Sequence, residues 1–406
     1  MLLPLLLLAC GKGADTASDV TYYQDIRPIL DKSCARCHNP ESIAPSFDDP
    51  AVVAGLADTM KAYTESAYMP PPAPAADCRE YESSERFTIT DEEQATIAAW
   101  ADAGAPLGEE VETTRDTTLE QLDSYDLELW ASTPYTPTFS AGNGNDYRCF
   151  LIDVGNTSTQ YITAMQAQVD NTRIVHHVVL FLPDGVEDLY ANGTDPYEGF
   201  ACGGLGQSNW STLGAWGPGA NPTVLPEGVG IPLPIGSQLI LQMHYFDSFD
   251  GADQEVDQSG YGLLLTDTVE REAQNYATGP TDFTIPAGDA AFEAKETYRW
   301  DADSQVLALW PHMHLLGSKF SQTVVHDDGT EECLLRMDAW DYHNQVTANL
   351  VEPATLGPGD KLKISCTFDN SASNPNQTSD PPVDVAFGEG TTDEMCFGFT
   401  LIAGAP

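Results

Sequence analysis

The stretch LALWPHMHLLG, residues 307 to 317, is an apolar run interrupted by two imidazoles, His312 and His314. A run this hydrophobic reads as a buried strand, and a polar ring buried in a strand is costly unless something satisfies it. Side chains at i and i+2 of a strand leave the same face, so these two rings can meet at one metal ion. Reading the run as a strand therefore decides the fold class and the chemistry together.

The sequence around it supports the strand. From about residue 126 onward, short β-branched or aromatic runs (YRCFLIDV, RIVHHVVLFLP, SQLILQMHYF, YGLLLTDT, KLKISCTFD, MCFGFTLIA) alternate with Gly, Pro, Asn and Asp clusters. That is an all-β signature of sandwich or jelly-roll type. A division near 270, after YGLLLTDTVE, predicts two jelly-roll-like sandwiches of similar size, 126–269 and 270–406. Residues 20–108 follow a helical pattern instead, with apolar residues three and four apart in TYYQDIRPILDKS and DEEQATIAAWADAG. Thr90 and Glu93 form a capping-box start there, and Gly104 is placed as the stop. Residues 109–125 are acidic, lack an apolar face and read as a linker.

Within the helical part lies CARCH, residues 34 to 38. The spacing suits two thioether bonds from Cys34 and Cys37 to haem vinyl groups, with His38 facing the iron. Met69-Pro70-Pro71 resembles the distal methionine loop of small c-type cytochromes, and IAAWADAGAP resembles their terminal helix. The expectation is a small all-α cytochrome c domain over 20–108, holding haem c through Cys34, Cys37, His38 and Met69. Five of the remaining histidines fall in predicted strands: His176, His177, His244, His312 and His314. One such residue is ordinarily a hydrogen-bonded core group, but five point to metal. His176 and His177 are adjacent, so an ideal strand would send them to opposite faces. Sharing one ion requires a distorted edge, or a ring that binds through Nδ1.

Composition restricts the partners. The chain has 406 residues, with 62 Asp plus Glu against 17 Lys plus Arg, a formal charge of −45. Such a balance opposes nucleic acid and anionic lipid head groups, although a halophile-like acidic surface would produce the same count. MLLPLLLLAC looks like the end of a bacterial lipoprotein signal, with Cys10 as the lipidated residue and 1–19 as signal and tether, though the basic segment of an export signal is missing. Nine cysteines, less two for haem and one for lipid, leave six and suggest an oxidising compartment. The expected location is exported: periplasm, or the outer-membrane or cell surface of a bacterium.

HHVVLF, LQMHYF, HMHLLG and DEMCFGF, together with LGAWGPGANPTVLPEGVGIPLPIGSQLILQMHY, occur in the order of the motifs of the copper type II, ascorbate-dependent monooxygenases. Residues 126–406 resemble that family, which includes peptidylglycine- and dopamine-hydroxylating enzymes. The resemblance implies two copper ions, one held by His176, His177 and His244. The other would be held by His312, His314 and Met395, where O2 binds and a C–H bond is attacked. A soft thioether at Met395 suits Cu(I), the state that meets O2. The resemblance also implies the disulfides Cys366–Cys396 and Cys149–Cys202. Cys78 and Cys333 are left either to bridge the haem domain to the β region or to stay free.

The chain departs from the peptide-amidating members at two pocket positions. Where they carry an arginine and a tyrosine that grip a carboxylate, this sequence has Trp310 and Phe399. A buried carboxylate would go unpaired there, so a small-molecule substrate, neutral or apolar near its reacting carbon, is expected. Ascorbate is an anion that this acidic chain repels, so electrons from ascorbate or a redox protein are expected to enter through the haem, carried on its flexible linker. Rival readings are a copper and haem electron-transfer protein without oxygenase activity, or a surface binding module with structural sandwiches. His326 and His343 lie outside the motifs, as surface or supporting residues.

Overall fold

The computed structural model describes residues 20–405 apart from 41, 43, 85–87, 112–119, 140–143, 191–194, 204, 205, 208, 248–250, 343, 345, 346 and 389. The proposed lipidation site Cys10 and His343 lie outside the described residues, as do residues 112–119 of the linker.

Most of the chain is β structure. A five-stranded sheet has the order Phe200–Ala201, Asn145–Asp153, Gln238–Phe246, Val175–Pro183, Trp210–Trp216. It packs over a nine-stranded sheet through a core of Phe150, Leu180, Leu241, Met243, Leu263 and their neighbours. A four-stranded sheet, Phe292–Arg299, Lys361–Phe368, Gly317–Val325 and Glu331–Met337, covers the other end of the long sheet through Phe320, Leu334, Ile364 and Phe368. Alternating burial in Lys361–Phe368 shows one face packed and one wetter, the signature of an antiparallel strand in a sandwich. The long sheet is continuous across residue 270, where Arg271 and Glu272 pair in parallel with Val229 and Gly230. Main-chain bonds thus join the two halves of the β region, and their relative placement does not rest on side chains alone.

The N-terminal region is helical. Its helices are α1 (Arg27–Ser33), α2 (Pro50–Gly55), α3 (Ala57–Glu65) and α4 (Asp91–Asp102). They close over Tyr22, Leu30, Ile97 and the fully buried Trp100. The expected capping box forms: Thr90 Oγ1 accepts from the Glu93 amide at 3.2 Å, and the Glu93 carboxylate accepts from the Thr90 amide at 2.8 Å. Gly104 follows α4 with φ +82°, the left-handed stop that glycine adopts at little cost.

The helical module is docked on both ends of the β region, where the sequence suggested attachment through a flexible linker. Between α3 and α4 the chain leaves the helices and straps onto the second half. There the amide of Ala75 donates to the Arg336 carbonyl at 2.8 Å, and Glu82 to Asn349 at 3.0 Å. Tyr81 is buried in that core and donates to the Leu334 carbonyl at 3.0 Å. Arg79 pairs with Glu332, and the Cys78–Cys333 disulfide closes the strap. At the other end Arg36 Nη2 donates to Asn221 Oδ1 at 3.0 Å. The described end of the linker is also fixed, since the Leu122 amide and the Tyr125 hydroxyl both donate to Gln166.

Candidate metal centre

Strand pairing brings three histidines together. The strand Val175–Pro183 runs antiparallel to Gln238–Phe246, with His177 opposite His244. The register slips between Val175 and His177, a β-bulge that leaves His176 as the extra residue. This is the distorted edge that an adjacent pair needs: with the bulge, both rings turn toward the partner strand. His176 Nδ1 lies 3.3 Å from His177 Nδ1, which lies 3.1 Å from His244 Nδ1. All three offer ring nitrogens within 4.8 Å of one another.

The electrostatics suit ligands. Burial pushes His177 and His244 well below the ordinary histidine pKa, and the neighbouring imidazoles push the same way. Both are therefore neutral near pH 7 and carry lone pairs. The ring of His244 is fixed by Asn145 Oδ1, 2.7 Å from Nε2, which leaves Nδ1 facing the cluster. Tyr147 stacks on the same ring at 4.1 Å with an interplanar angle of 2°.

His312 ends the strand Ser304–His312, the observed form of the run that opened the sequence. His314 lies two residues past its end, just before a turn at Leu315–Leu316, and both are buried. Their rings lie 5.1 Å apart at 89°. His314 Nδ1 sits 3.0 Å from the Asp393 carbonyl, so that nitrogen is occupied as a donor and Nε2 is the one available to a metal.

Met395 is tied to this pair through Glu394, a residue that the sequence did not single out. Its carboxylate is fully buried and accepts the amides of His314 at 3.0 Å, Leu316 at 2.5 Å and Met395 at 3.3 Å. One oxygen receives both His314 and Met395, so their backbones are clamped side by side. Burial pushes the Glu394 carboxyl up to about 8, against the pull of those donors. The adjacent Cys396 is bonded to Cys366, and Cys149 is bonded to Cys202.

His312 is close enough to His177 to lower its pKa further. Tyr147, stacked on His244, hydrogen-bonds Tyr342, whose ring meets the edge of His314 at 6.1 Å. A tyrosine pair therefore links the two groups. Asn145, Tyr147 and Tyr342 carried no motif, and Glu394 lay within DEMCFGF unnoticed, because each acts through a partner distant in sequence.

Trp310 pairs with Phe399 across the strands, as His312 pairs with Phe397, so all four leave one face. The Trp310 and Phe399 rings lie 4.9 Å apart. They wall a shallow open cleft between this face and the strand Trp210–Trp216, with Leu213, Asn275, Ala308 and Leu401. Every residue lining it is uncharged.

In the helical module, Cys34 and Cys37 are free thiols whose pKa values burial raises, Cys34 to about 12. His38 Nδ1 lies 2.8 Å from the Pro45 carbonyl, and its ring stacks on Phe47 at 4.0 Å. That contact occupies Nδ1, so Nε2 is the nitrogen that a metal could approach. Met69 follows α3, half-buried, with its amide donating to the Tyr63 carbonyl at 3.1 Å. His326, outside the motifs, lies between Asp360 at 3.1 Å and Glu332 at 3.2 Å.

Parts of the sequence resemble known proteins. Residues 281–402, which contain His312, His314, Glu394 and Met395, match the model of the copper type II ascorbate-dependent monooxygenase C-terminal domain. The chain is 26% identical to mouse DBH-like monooxygenase protein 2 over 255 residues, 56% of this chain and 38% of that protein. It is 25% identical to horse dopamine beta-hydroxylase over 278 residues, 64% of this chain and 44% of that protein. Against peptidyl-glycine alpha-amidating monooxygenase A of Xenopus laevis it is 25% identical over 241 residues, 56% of this chain and 23% of that protein. The chain thus spans less than half the length of each of these relatives.

Proposed function

We propose that this chain is a copper-dependent monooxygenase that hydroxylates a C–H bond of a small, neutral substrate with O2. The observation that carries the reading is the bulge at His176, which turns two adjacent imidazoles and His244 onto one point. The match of residues 281–402 to the family's C-terminal domain supports the second group.

His176, His177 and His244 would hold one copper, and His312, His314 and Met395 the other. Bound copper supplies the one-electron chemistry that activates O2, and the thioether of Met395 favours its reduced state. The protein's own contribution is arrangement. Asn145 and the Asp393 carbonyl fix two rings so that chosen nitrogens face inward. Burial keeps His177 and His244 neutral, so no proton competes for their lone pairs. Glu394 holds the His314 and Met395 backbones together. The cleft beside Trp310 and Phe399 would orient the substrate on the face that also carries His312. Nothing charged lines it, which supports a neutral substrate and disfavours a terminal carboxylate.

A c-type haem, which Cys34, Cys37, His38 and Met69 would hold, is proposed for electron entry. The free thiols and the Pro45 contact of His38 fit that group. The helical residues would form the haem domain and the β region the two copper-binding sandwiches. Three disulfides fit an exported protein, and among the described residues no helix is long and apolar enough to cross a membrane. Ascorbate or a redox protein would be the donor.

Metal analysis with an optical spectrum tests the assignment, the expectation being two coppers and one haem per chain. Oxygen uptake is then measured with neutral candidate substrates, and the hydroxylated product is identified. Uptake without product would favour the electron-transfer reading. Efficient turnover of an acylglycine would refute the substrate class, because an unpaired buried carboxylate should cost about 3–5 kcal/mol, or at least roughly 100-fold.

A further inference from the structure

We infer that the loop 217–221 is the port by which electrons cross from the CARCH turn to the three-histidine cluster, and that Gly219 lets the two surfaces touch. The inference rests on the haem and copper assignments proposed above, and concerns how this chain connects them.

The contact is made by the attachment motif itself. Cys37 Sγ lies 3.7 Å from the carbonyl oxygen of Pro218. A Cβ on Gly219 would stand 2.9 Å from that sulfur and 3.3 Å from Arg36 Cγ, so a larger residue would separate the module from the loop. Gly219 also has φ +83°, a conformation that side chains disfavour. Arg36, buried, pins the approach through Asn221 Oδ1 at 3.0 Å, and Asn221 Nδ2 in turn reaches the Glu120 carboxylate at 3.4 Å. Two independent features, a side-chain clamp and a missing Cβ, therefore hold the CARCH turn to this loop.

The other end of the loop leads to the histidines. The strand Trp210–Trp216 pairs with Val175–Pro183, with Trp216 opposite Val178, the neighbour of His177. One residue, Gly217, separates that paired end from Pro218. Standard residue and strand spacings put the Cys37 sulfur within about 20 Å of the Val178 backbone along this route. The step itself is a single electron transfer: ferrous haem becomes ferric as Cu(II) on the three histidines becomes Cu(I). No bond breaks and no proton moves, and a one-electron donor such as ascorbate or a small redox protein reduces the haem again.

The test uses the full-length protein loaded with haem and copper, under anaerobic conditions and without substrate. The haem is reduced while copper is held oxidised, and decay of the ferrous absorption band is followed with loss of the Cu(II) electron paramagnetic resonance signal. Gly219→Val is expected to slow the coupled decay at least tenfold with haem and copper contents unchanged. Asn221→Ala, which introduces no clash, is expected to slow it less. Gly217→Ala is the control within the same loop, because a Cβ there meets nothing within 4 Å, and its rate should match the wild type. Equal rates in all four proteins would overturn the inference, and so would a Gly217→Ala defect as large as that of Gly219→Val. Absence of the haem band or of copper from the wild type would instead refute the assignments beneath it, a result read before any rate is measured.

Discussion

Removing the Glu394 carboxylate should loosen the second histidine group more than any surface change nearby. The side chain is fully buried and accepts three backbone amides, those of His314, Leu316 and Met395. Glu394→Ala leaves three donors without an acceptor in a site closed to water. A buried unsatisfied group costs about 1–3 kcal/mol, and partial relaxation recovers some of it, so a loss of about 3–5 kcal/mol is expected. Glu394→Gln keeps one acceptor oxygen but turns an NH2 toward an amide donor, and should cost roughly half as much. Urea unfolding monitored by Trp fluorescence measures the stability, and copper content after dialysis measures the site. Both variants should lose copper from the His312, His314 and Met395 group while the three-histidine group retains its own. A Glu394→Ala protein within about 0.5 kcal/mol of wild type, with copper stoichiometry intact, would show that the amides find other partners and that the brace is not needed.

Asn145→Ala frees His244 Nε2 and should weaken copper at the three-histidine cluster about 10- to 100-fold, read by competition with a chelator; an unchanged affinity would contradict the orienting role. His326 has its pKa raised, chiefly by the Asp360 hydrogen bond, so it stabilises the fold fully below the ordinary histidine pKa of about 6.5 and loses that contribution as pH rises through the raised value. His326→Gln should therefore destabilise more at pH 5.5 than at pH 9 in urea titrations, and an equal cost at both would refute the pairing. Replacing Cys78 and Cys333 by Ser opens a cross-link spanning 255 residues and should cost about 3–5 kcal/mol, with faster proteolysis of the strap 75–84; unaltered protection there would show that Tyr81 and the backbone bonds suffice.

Much of the site could be read from local spacing. HxH in an apolar run suggested a strand that carries both rings, but the strand ends at His312 and His314 lies just beyond it; CARCH needs only one turn of chain. Alternation of apolar runs with turn residues likewise signalled β structure, because burial on one face is a local demand. The pairing of Cys78 with Cys333 was open, since spacing over 255 residues carries no geometric information.

The residues of this chain thus indicated by themselves which groups are candidate ligands, which segments are strands or helices, and which pocket positions lack charge. Tertiary structure decided how they meet. The His176 bulge exists only because a partner strand sets the register, and Glu394 matters because two amides about 80 residues away, those of His314 and Leu316, converge on it beside that of its neighbour Met395. The docking of the CARCH turn against Gly219 joins surfaces that are 181 residues apart in sequence at the Cys37–Pro218 contact. Local spacing can specify a ligand's direction, but only packing brings a second element to the point it faces.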